Sequence, residues 1–363
     1  MSFAPNIVER IARARADLRM GVPIVLTGRK DALLVLAVET LGNDRFEDLA
    51  NLASARTLVV TDRRARTLKA MAYDDGLARI TVPGRADAGW LRCVADPADD
   101  LNIPFKGPFV TERGGDVSLH RLALDLVKTA RLLPAVLVAP LPQAAEFASN
   151  HGLTLLPEHQ VLPFINATSP MHPIVDARLP IQASAAGKLH IYRPEDGGEE
   201  HYAIEIGKPA RDKPVLARLH SACFTGDVLG SLKCDCGPQL NGALAQMGAE
   251  GEGILLYLNQ EGRGIGLANK MRAYSLQDQG FDTVEANHRL GFEDDERDFR
   301  IGSEILKKLG FASVRLLTNN PRKIKMMEAS GIKVAEHVPL KVGENMYNSA
   351  YLATKAAKSG HLL

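Results

Sequence analysis

The sequence has few of the features that mark special classes of protein. Aromatic residues make up 5% of its 363 positions and tryptophan occurs once. Four cysteines in such a length cannot form a disulfide framework, so a reducing, cytoplasmic setting is expected. There is no excess of either charge: 44 basic residues stand against 43 acidic ones, a net of +1. That balance excludes a broad electrostatic footprint for nucleic acid or a membrane surface, and any bound anion must be held by a local cluster. The longest apolar run, Leu132 to Leu141, is broken by Pro134 and Pro140 and is too short to span a bilayer. Internal repeats and low-complexity tracts are absent. An Arg-rich start (Arg10, Arg13, Arg15, Arg19) suits a transit peptide, but Glu9 and Asp17 argue instead for an ordinary amphipathic helix with Ile7, Ile11, Ala14 and Leu18 on one face.

The length suits two domains of roughly 150 to 200 residues, each able to bury a core without staples. Short Val/Ile/Leu-rich runs at 24–27, 33–38, 58–61 and 135–139 read as buried strands, and 46–53 and 119–129 carry helical spacing. A mixed α/β (α+β) fold in two domains follows. Prolines at 157, 163, 170, 173 and 180 mark a crossing between them, so the expected boundaries are 1–157, a linker at 158–175, and 176–363. Beyond it, alternation at 189–192 and 201–206 around Glu195-Asp-Gly-Gly198 predicts a hairpin.

Three cysteines fall close together as Cys223-x10-Cys234-x-Cys236. Thiolates are the soft ligands zinc favours, and three of them leave one tetrahedral position open, as in catalytic sites. His220 and Cys93 are the candidates to close the set. The alternative is three buried free thiols, although Cys-Asp-Cys-Gly-Pro is a polar, turn-like context. Cys93, in Leu-Arg-Cys-Val, reads as a core residue.

Downstream, the apolar run 253–258 leads into Asn-Gln-Glu-Gly-Arg-Gly-Ile-Gly-Leu (259–267) and then a helical pattern. Glycine turns at helix starts offer N–H groups and a positive dipole to phosphate, but the spacing is not that of a dinucleotide fingerprint. A second strand, 314–318, runs into Asn-Asn-Pro-Arg-Lys (319–323), and Arg218 lies on a third. Basic residues at several strand ends are what a nucleotide polyphosphate needs; singly, each reads as a solvated charge. Phe292-Glu-Asp-Asp-Glu-Arg-Asp-Phe299 fits either a solvated helix start or a carboxylate–arginine catalytic pair.

Together these blocks resemble GTP cyclohydrolase II, the zinc enzyme that opens the guanine ring at the start of riboflavin synthesis. The likeness runs from Asp176 to Leu363 through Arg218-Leu-His-Ser-Ala-Cys223, Thr225-Gly-Asp227, Cys234-Asp-Cys-Gly-Pro-Gln239, Gln260–Leu267, Asp282–Asn287, Asp295-Glu-Arg-Asp298 and Leu317–Pro321. It implies zinc on Cys223, Cys234 and Cys236, attack of its water on C8 of guanine, and release of formate and pyrophosphate. The remaining product is 2,5-diamino-6-(5-phosphoribosylamino)pyrimidin-4(3H)-one. By the same resemblance Asp295 is the proton acceptor, Tyr274 lies near the guanine, and Arg297 is the nucleophile on the α-phosphorus. Because a guanidinium is almost never deprotonated, charge stabilisation is the alternative role for Arg297. GTP contacts are implied for Arg218, Leu219, His220, Ser221, Ala222, Gln239, Glu261, Gly262, Arg263, Thr283, Thr318 and Lys323, with magnesium on the triphosphate and a homodimer as the assembly. Where the family commonly carries glutamate, this chain has Ala222.

The first half resembles a degenerate 3,4-dihydroxy-2-butanone 4-phosphate synthase, through 19–26, 34–39 and 145–153. Its acidic loop is reduced to Thr27-Gly-Arg-Lys-Asp31, and a Gly-His-Thr-Glu stretch is replaced by Gly114-Gly-Asp-Val-Ser-Leu-His120. The resemblance therefore implies a kept fold and a lost magnesium-dependent chemistry. Two other readings are a bifunctional enzyme that keeps the synthase activity and a non-catalytic regulator binding GTP and zinc.

Overall fold

The computed structural model describes residues 3–349; residues 350–363 of the expected second domain lie outside it. The chain forms two compact units, one of 1–167 with 268–296 and one of 168–267 with 297–363. In chain order the first half runs α1 (Ile7–Arg19), β1 (Ile24–Thr27), β2 (Ala32–Ala37), α2 (Asn43–Leu52), β3 (Thr57–Thr61) and α3 (Asp62–Leu68). It continues with β4 (Leu77–Thr81), α4 (Ala88–Ala95), α5 (Ser118–Thr129), β5 (Ala135–Pro140), α6 (Ala144–His151), β6 (Leu155–Pro157) and α7 (Glu158–Ile165). The second half begins β7 (Met171–Arg178), β8 (Gly187–Pro194), β9 (His201–Ile206), β10 (Val215–Ser221), α8 (Cys236–Glu250) and β11 (Gly253–Leu258). It ends α9 (Leu267–Asp278), α10 (Thr283–Leu290), α11 (Arg300–Lys308), β12 (Ser313–Leu317), α12 (Pro321–Ala329) and β13 (Lys333–Val338).

The first unit is built on a six-stranded sheet, ordered β4-β3-β5-β2-β1-β6, in which only β1 and β6 are parallel. Its strands are apolar because both faces are covered. Val25, Leu36, Leu58 and Leu137 pack into one cluster with α2 and α4, while Leu26, Val35, Val59 and Val136 face α1, α5 and α7. Strand β1 turns into β2 through Gly28–Asp31, closed by the Gly28 N–H donating to the Asp31 carbonyl at 2.8 Å. Helix α1 starts on an Asn6 capping box with Glu9, which fits the amphipathic helix expected there.

The second unit holds a seven-stranded sheet, ordered β13-β12-β10-β11-β9-β8-β7. Strands β11, β10, β12 and β13 are mutually parallel, and β9, β8 and β7 continue antiparallel. The β8–β9 pair is the predicted hairpin.

Two expectations are corrected, and the acidic stretch is located relative to its helix. The proline-crowded stretch is no open linker, since 158–165 forms α7 and β7 begins at Met171. Pro163 stands at the sixth position, where it removes one intrahelical hydrogen bond, and Val161 and Ile165 of the same helix are buried. Cys93 is only half-buried, on α4, and its carbonyl accepts a hydrogen bond from the Lys106 ammonium at 2.6 Å. The acidic stretch 292–299 is a loop, and the helix after it starts at Arg300.

Candidate metal centre and nucleotide site

The site of the second unit lies where parallel strands end. Ligands of open α/β sheets sit beyond the carboxyl ends of the strands, and here β10 ends at Ser221, β11 at Leu258 and β12 at Leu317. Each strand is followed at once by one of the sequence blocks singled out above: Ala222-Cys223, Asn259–Leu267 and Thr318–Lys323.

Past β10, Cys223 opens a tight turn over Phe224–Val228, and Cys236 is the first residue of α8. The sulfurs of Cys223, Cys234 and Cys236 all lie within 4.8 Å of one another, the only such His, Cys, Asp or Glu group among the described residues. Cys223 and Cys234 Sγ are 3.7 Å apart. A Cβ on Gly226 would sit 2.8 Å from Cys234 Sγ and 3.1 Å from Cys223 Sγ, so glycine is what lets the turn close over the sulfurs. Hydrogen bonding to the Cys223 sulfur pushes the Cys234 and Cys236 thiols up, and burial adds to it. Three thiols at such range, at the positive end of a long helix, form a donor set that fits a soft divalent cation, which would remove the cost of bringing thiolates together.

His220 does not complete that set. Its Nε2 lies 3.0 Å from the Asp227 carboxylate, and the ring is buried. Asp227 also accepts from the Tyr257 hydroxyl at 2.9 Å and from the Cys223 N–H at 3.0 Å. His220 stacks on Tyr257 with ring centroids 5.5 Å apart. Burial holds His220 below its ordinary pKa, with the Asp227 hydrogen bond opposing it, and burial pushes Tyr257 well up. This carboxylate therefore clamps the first cysteine from behind. Asp227 lies in the Thr225-Gly-Asp227 block, whose spacing assigns it no role, and nothing in the sequence around Tyr257 points to this contact.

Cationic groups surround the same edge. Arg218 is buried, donates to the Leu317 carbonyl and to Gln239 Oε1, and burial lowers its pKa to about 10. It therefore stays charged at neutral pH. Gln239 donates in turn to Asp235. Lys323, buried, donates to the Leu219 carbonyl at 2.8 Å. Its Nζ lies 4.9 Å from the centroid of the buried Phe299 ring, and the Arg297 guanidinium lies 4.8 Å from the same ring. Arg297 also reaches the Ser221 hydroxyl at 3.4 Å. Phe299 thus gathers two of the expected cations, a role that spacing alone did not reveal.

The glycine block forms a tight, non-helical turn, Glu261–Gly264, in which Gly262, Arg263 and Gly264 all have positive φ. For Arg263, at φ 61°, that is an uncommon backbone state of the kind that concentrates at functional loops. Glu261 ties the loop to the turn after Cys223 by accepting from the Phe224 N–H at 2.5 Å. The Gln260 side-chain amide donates to the Asp298 carbonyl at 2.7 Å and accepts from the Asp298 N–H at 2.8 Å, which fixes the loop next to Arg297. Ala222 uses its N–H on the Leu258 carbonyl. Thr318 accepts from the Asn320 N–H at 3.1 Å, in the turn before α12, where Pro321 takes the first helical position as expected.

The structure thus brings Arg218–Cys223, Cys234, Cys236, Gln239, Glu261–Arg263, Arg297, Thr318 and Lys323 into one unit. Tyr274, Thr283 and Asp295 belong to the other. Thr283 starts α10 behind an Asp282–Glu285 capping box, and its hydroxyl accepts from Gln277 at 3.0 Å. Lys270 lies over the Tyr274 ring at 5.7 Å.

Comparison with known proteins agrees with this geometry. The sequence profile described as GTP cyclohydrolase II matches residues 172–339. A protein of Yersinia pestis named GTP cyclohydrolase-2 is 60% identical over 166 residues, 46% of this chain and 85% of that protein. The riboflavin biosynthesis protein RibBA of Bacillus velezensis is 48% identical over 73% of this chain and 71% of its own length. A protein of Azospirillum brasilense named GTP cyclohydrolase-2 is 42% identical over 359 residues, 97% of this chain and 93% of its own. With the cysteine centre in place and a relative of that identity along nearly its whole length, the chain belongs to the GTP cyclohydrolase II family.

Proposed function

We infer that the chain hydrolyses GTP at the guanine ring as the first step of riboflavin biosynthesis. C8 leaves as formate and the outer phosphates as pyrophosphate, giving 2,5-diamino-6-(5-phosphoribosylamino)pyrimidin-4(3H)-one. The observation that carries this reading is the convergence of three cysteine sulfurs within 4.8 Å, at the strand edge that also presents Arg218, Arg297 and Lys323. Zinc held by Cys223, Cys234 and Cys236 supplies a Lewis acid and an activated water at neutral pH.

The chain's own residues do the rest. Arg297 and Lys323, oriented by Phe299, bind the triphosphate together with Arg218, Thr318 and a magnesium ion. Their fixed charges favour departure of pyrophosphate as negative charge grows on the bridging oxygen. Since a guanidinium holds its protons, Arg297 is assigned charge stabilisation, and a water forms the new P–O bond at the α-phosphorus as the bond to the leaving pyrophosphate breaks. The Glu261–Arg263 loop and Gln239 hold the nucleotide, Tyr274 and Thr283 contact it, and Asp295 takes up the proton as water adds to the ring. Asp227 keeps Cys223 and His220 in place throughout. The resemblance further implies a homodimer.

For the first half we propose a synthase-like fold without synthase chemistry. Its support is the tight β1–β2 turn, where Gly28–Asp31 offers one carboxylate in place of an acidic loop. The RibBA relative favours the second reading, a retained synthase, and ribulose 5-phosphate turnover by the full chain decides between them. The main test is incubation of the zinc-loaded full chain with GTP and magnesium: formate and pyrophosphate are expected in step, and a sample that releases no formate refutes the cyclohydrolase reading.

A further inference from the structure

Residues 268–296 interrupt the second unit in sequence and pack into the first. Within that unit they are held by residues of the N-terminal half at many points. Arg272 on α9 donates to Asp96 at 2.9 Å and to Glu39 at 3.2 Å, while Asn269 bonds the Arg131 carbonyl at 3.1 Å. At the end of α10 the Thr61 hydroxyl donates to the Gly291 carbonyl, buried, at 2.9 Å. Gly291 has φ 91°, and a Cβ there would meet Thr61 Oγ1 at 2.8 Å and Pro134 Cγ at 2.9 Å, so α10 comes as near as backbone allows. Arg63 pairs with Glu293 at 2.8 Å and Lys128 with Glu296 at 2.8 Å.

We propose that the N-terminal half is the holder of the 268–296 segment, and that Glu39, Asp96 and Lys128 are positioning residues for GTP cleavage. The inference rests on the reading of Tyr274, Thr283 and Asp295 as substrate and proton-transfer residues. Arg272 is two residues from Tyr274 on the same helix. Glu296 stands between Asp295 and Arg297. A segment so anchored presents its side chains in one geometry, and misplacement of reacting groups by about 1 Å can cost 10²-fold in rate. The Yersinia relative, of which 166 matched residues make up 85%, has no room for such a half, so the chemistry itself does not require one. In this chain the segment is fitted to its own N-terminal partner.

The test uses the zinc-loaded full chain and two variants: Glu39→Gln with Asp96→Asn, which keeps size and acceptor atoms, and Lys128→Gln. Zinc content, the thiolate absorption of the cobalt-substituted protein, amide exchange across 268–296 and the steady-state constants for GTP are measured on each. The double variant is expected to exchange about ten-fold faster over Leu267–Asp278 and to raise KM about ten-fold, the loss expected of two charge-assisted bonds. Lys128→Gln is expected to lower kcat several-fold with KM nearly unchanged. Metal content and cobalt spectrum should stay as in the parent, which separates positioning from collapse of the fold. Unchanged exchange overturns the proposal, and so does faster exchange with unchanged constants. If the double variant does not fold, Lys128→Gln alone decides, and an unaltered kcat refutes the proposal. A parent protein that turns over no GTP would refute the cyclohydrolase reading and, with it, the positioning role, while exchange would still report whether the N-terminal half holds the segment.

Discussion

In the first sheet the neighbours β4, β3, β5, β2 and β1 alternate in direction, so the connections leaving successive strands fall on opposite edges. In the second, β11, β10, β12 and β13 run parallel, and whatever follows them gathers at one edge. Strands β1 to β5 of the first sheet are buried almost throughout, as are β10 and β11 of the second, whereas β7 and β13 at the second sheet's edges are largely exposed. The difference lies in what direction does to the ends: parallel strands deliver Cys223, Glu261 and Thr318 to one place, whereas antiparallel ones scatter their turns. In the first sheet the β1–β2 turn, Gly28–Asp31, closes on itself through the Gly28 N–H and the Asp31 carbonyl.

The contrast breaks most severely at the metal centre. Cys234→Ser is expected to lose the metal and several kcal/mol of transition-state stabilisation, about 10³-fold in turnover. Zinc content and formate release measured together check it; full turnover without metal would remove the functional distinction between the sheets. A smaller effect is expected one layer out, at Asp227→Asn. Weakening the carboxylate that holds the Cys223 N–H, His220 and Tyr257 should lower metal affinity about 10- to 100-fold, read by competition with a chromophoric chelator. The fold should survive, since the amide keeps an acceptor oxygen.

The smallest effect belongs to the first unit and touches stability alone. Burial holds His120 below the ordinary imidazole value of 6.5, with the Arg79 charge adding to it, and its Nδ1 is buried without a partner. Above about pH 6.5 the ring is neutral folded or unfolded. As pH falls through that value towards the depressed folded one, the unfolded chain takes up the proton first and stability is lost. His120→Gln should flatten that part of the curve in denaturant titrations taken at several pH values; an unchanged slope would mean that the ring protonates freely in the fold.

Much of this was legible in the residues. Four of the six strands of the first half are legible as Val/Ile/Leu-rich runs, because a strand buried on both faces has little room for polar positions, while β4, which carries Arg79, and the three-residue β6 show no such run. The cysteine spacing, the glycine block after an apolar strand and Pro321 at a helix start are equally local, and each took the expected place. The proline-rich crossing misled because proline density reports irregular backbone, and α7 carries Pro163 with Val161 and Ile165 buried. His220 as a possible ligand was a matter of three-residue spacing, which says nothing of where the ring turns; Asp227 settles that by hydrogen bonding.

By itself, then, the sequence determined four of the first unit's six strands, the β8–β9 hairpin, the metal-capable cysteine trio and the family likeness, all of which depend on neighbours within a few positions or on ordered blocks. Only the tertiary structure decided that Phe299 collects Arg297 and Lys323, that Asp227 backs Cys223, and that 268–296 is packed with the N-terminal half. Those depend on which distant segment supplies the opposing surface. Hydrophobic periodicity records that a face is buried, and leaves open what buries it.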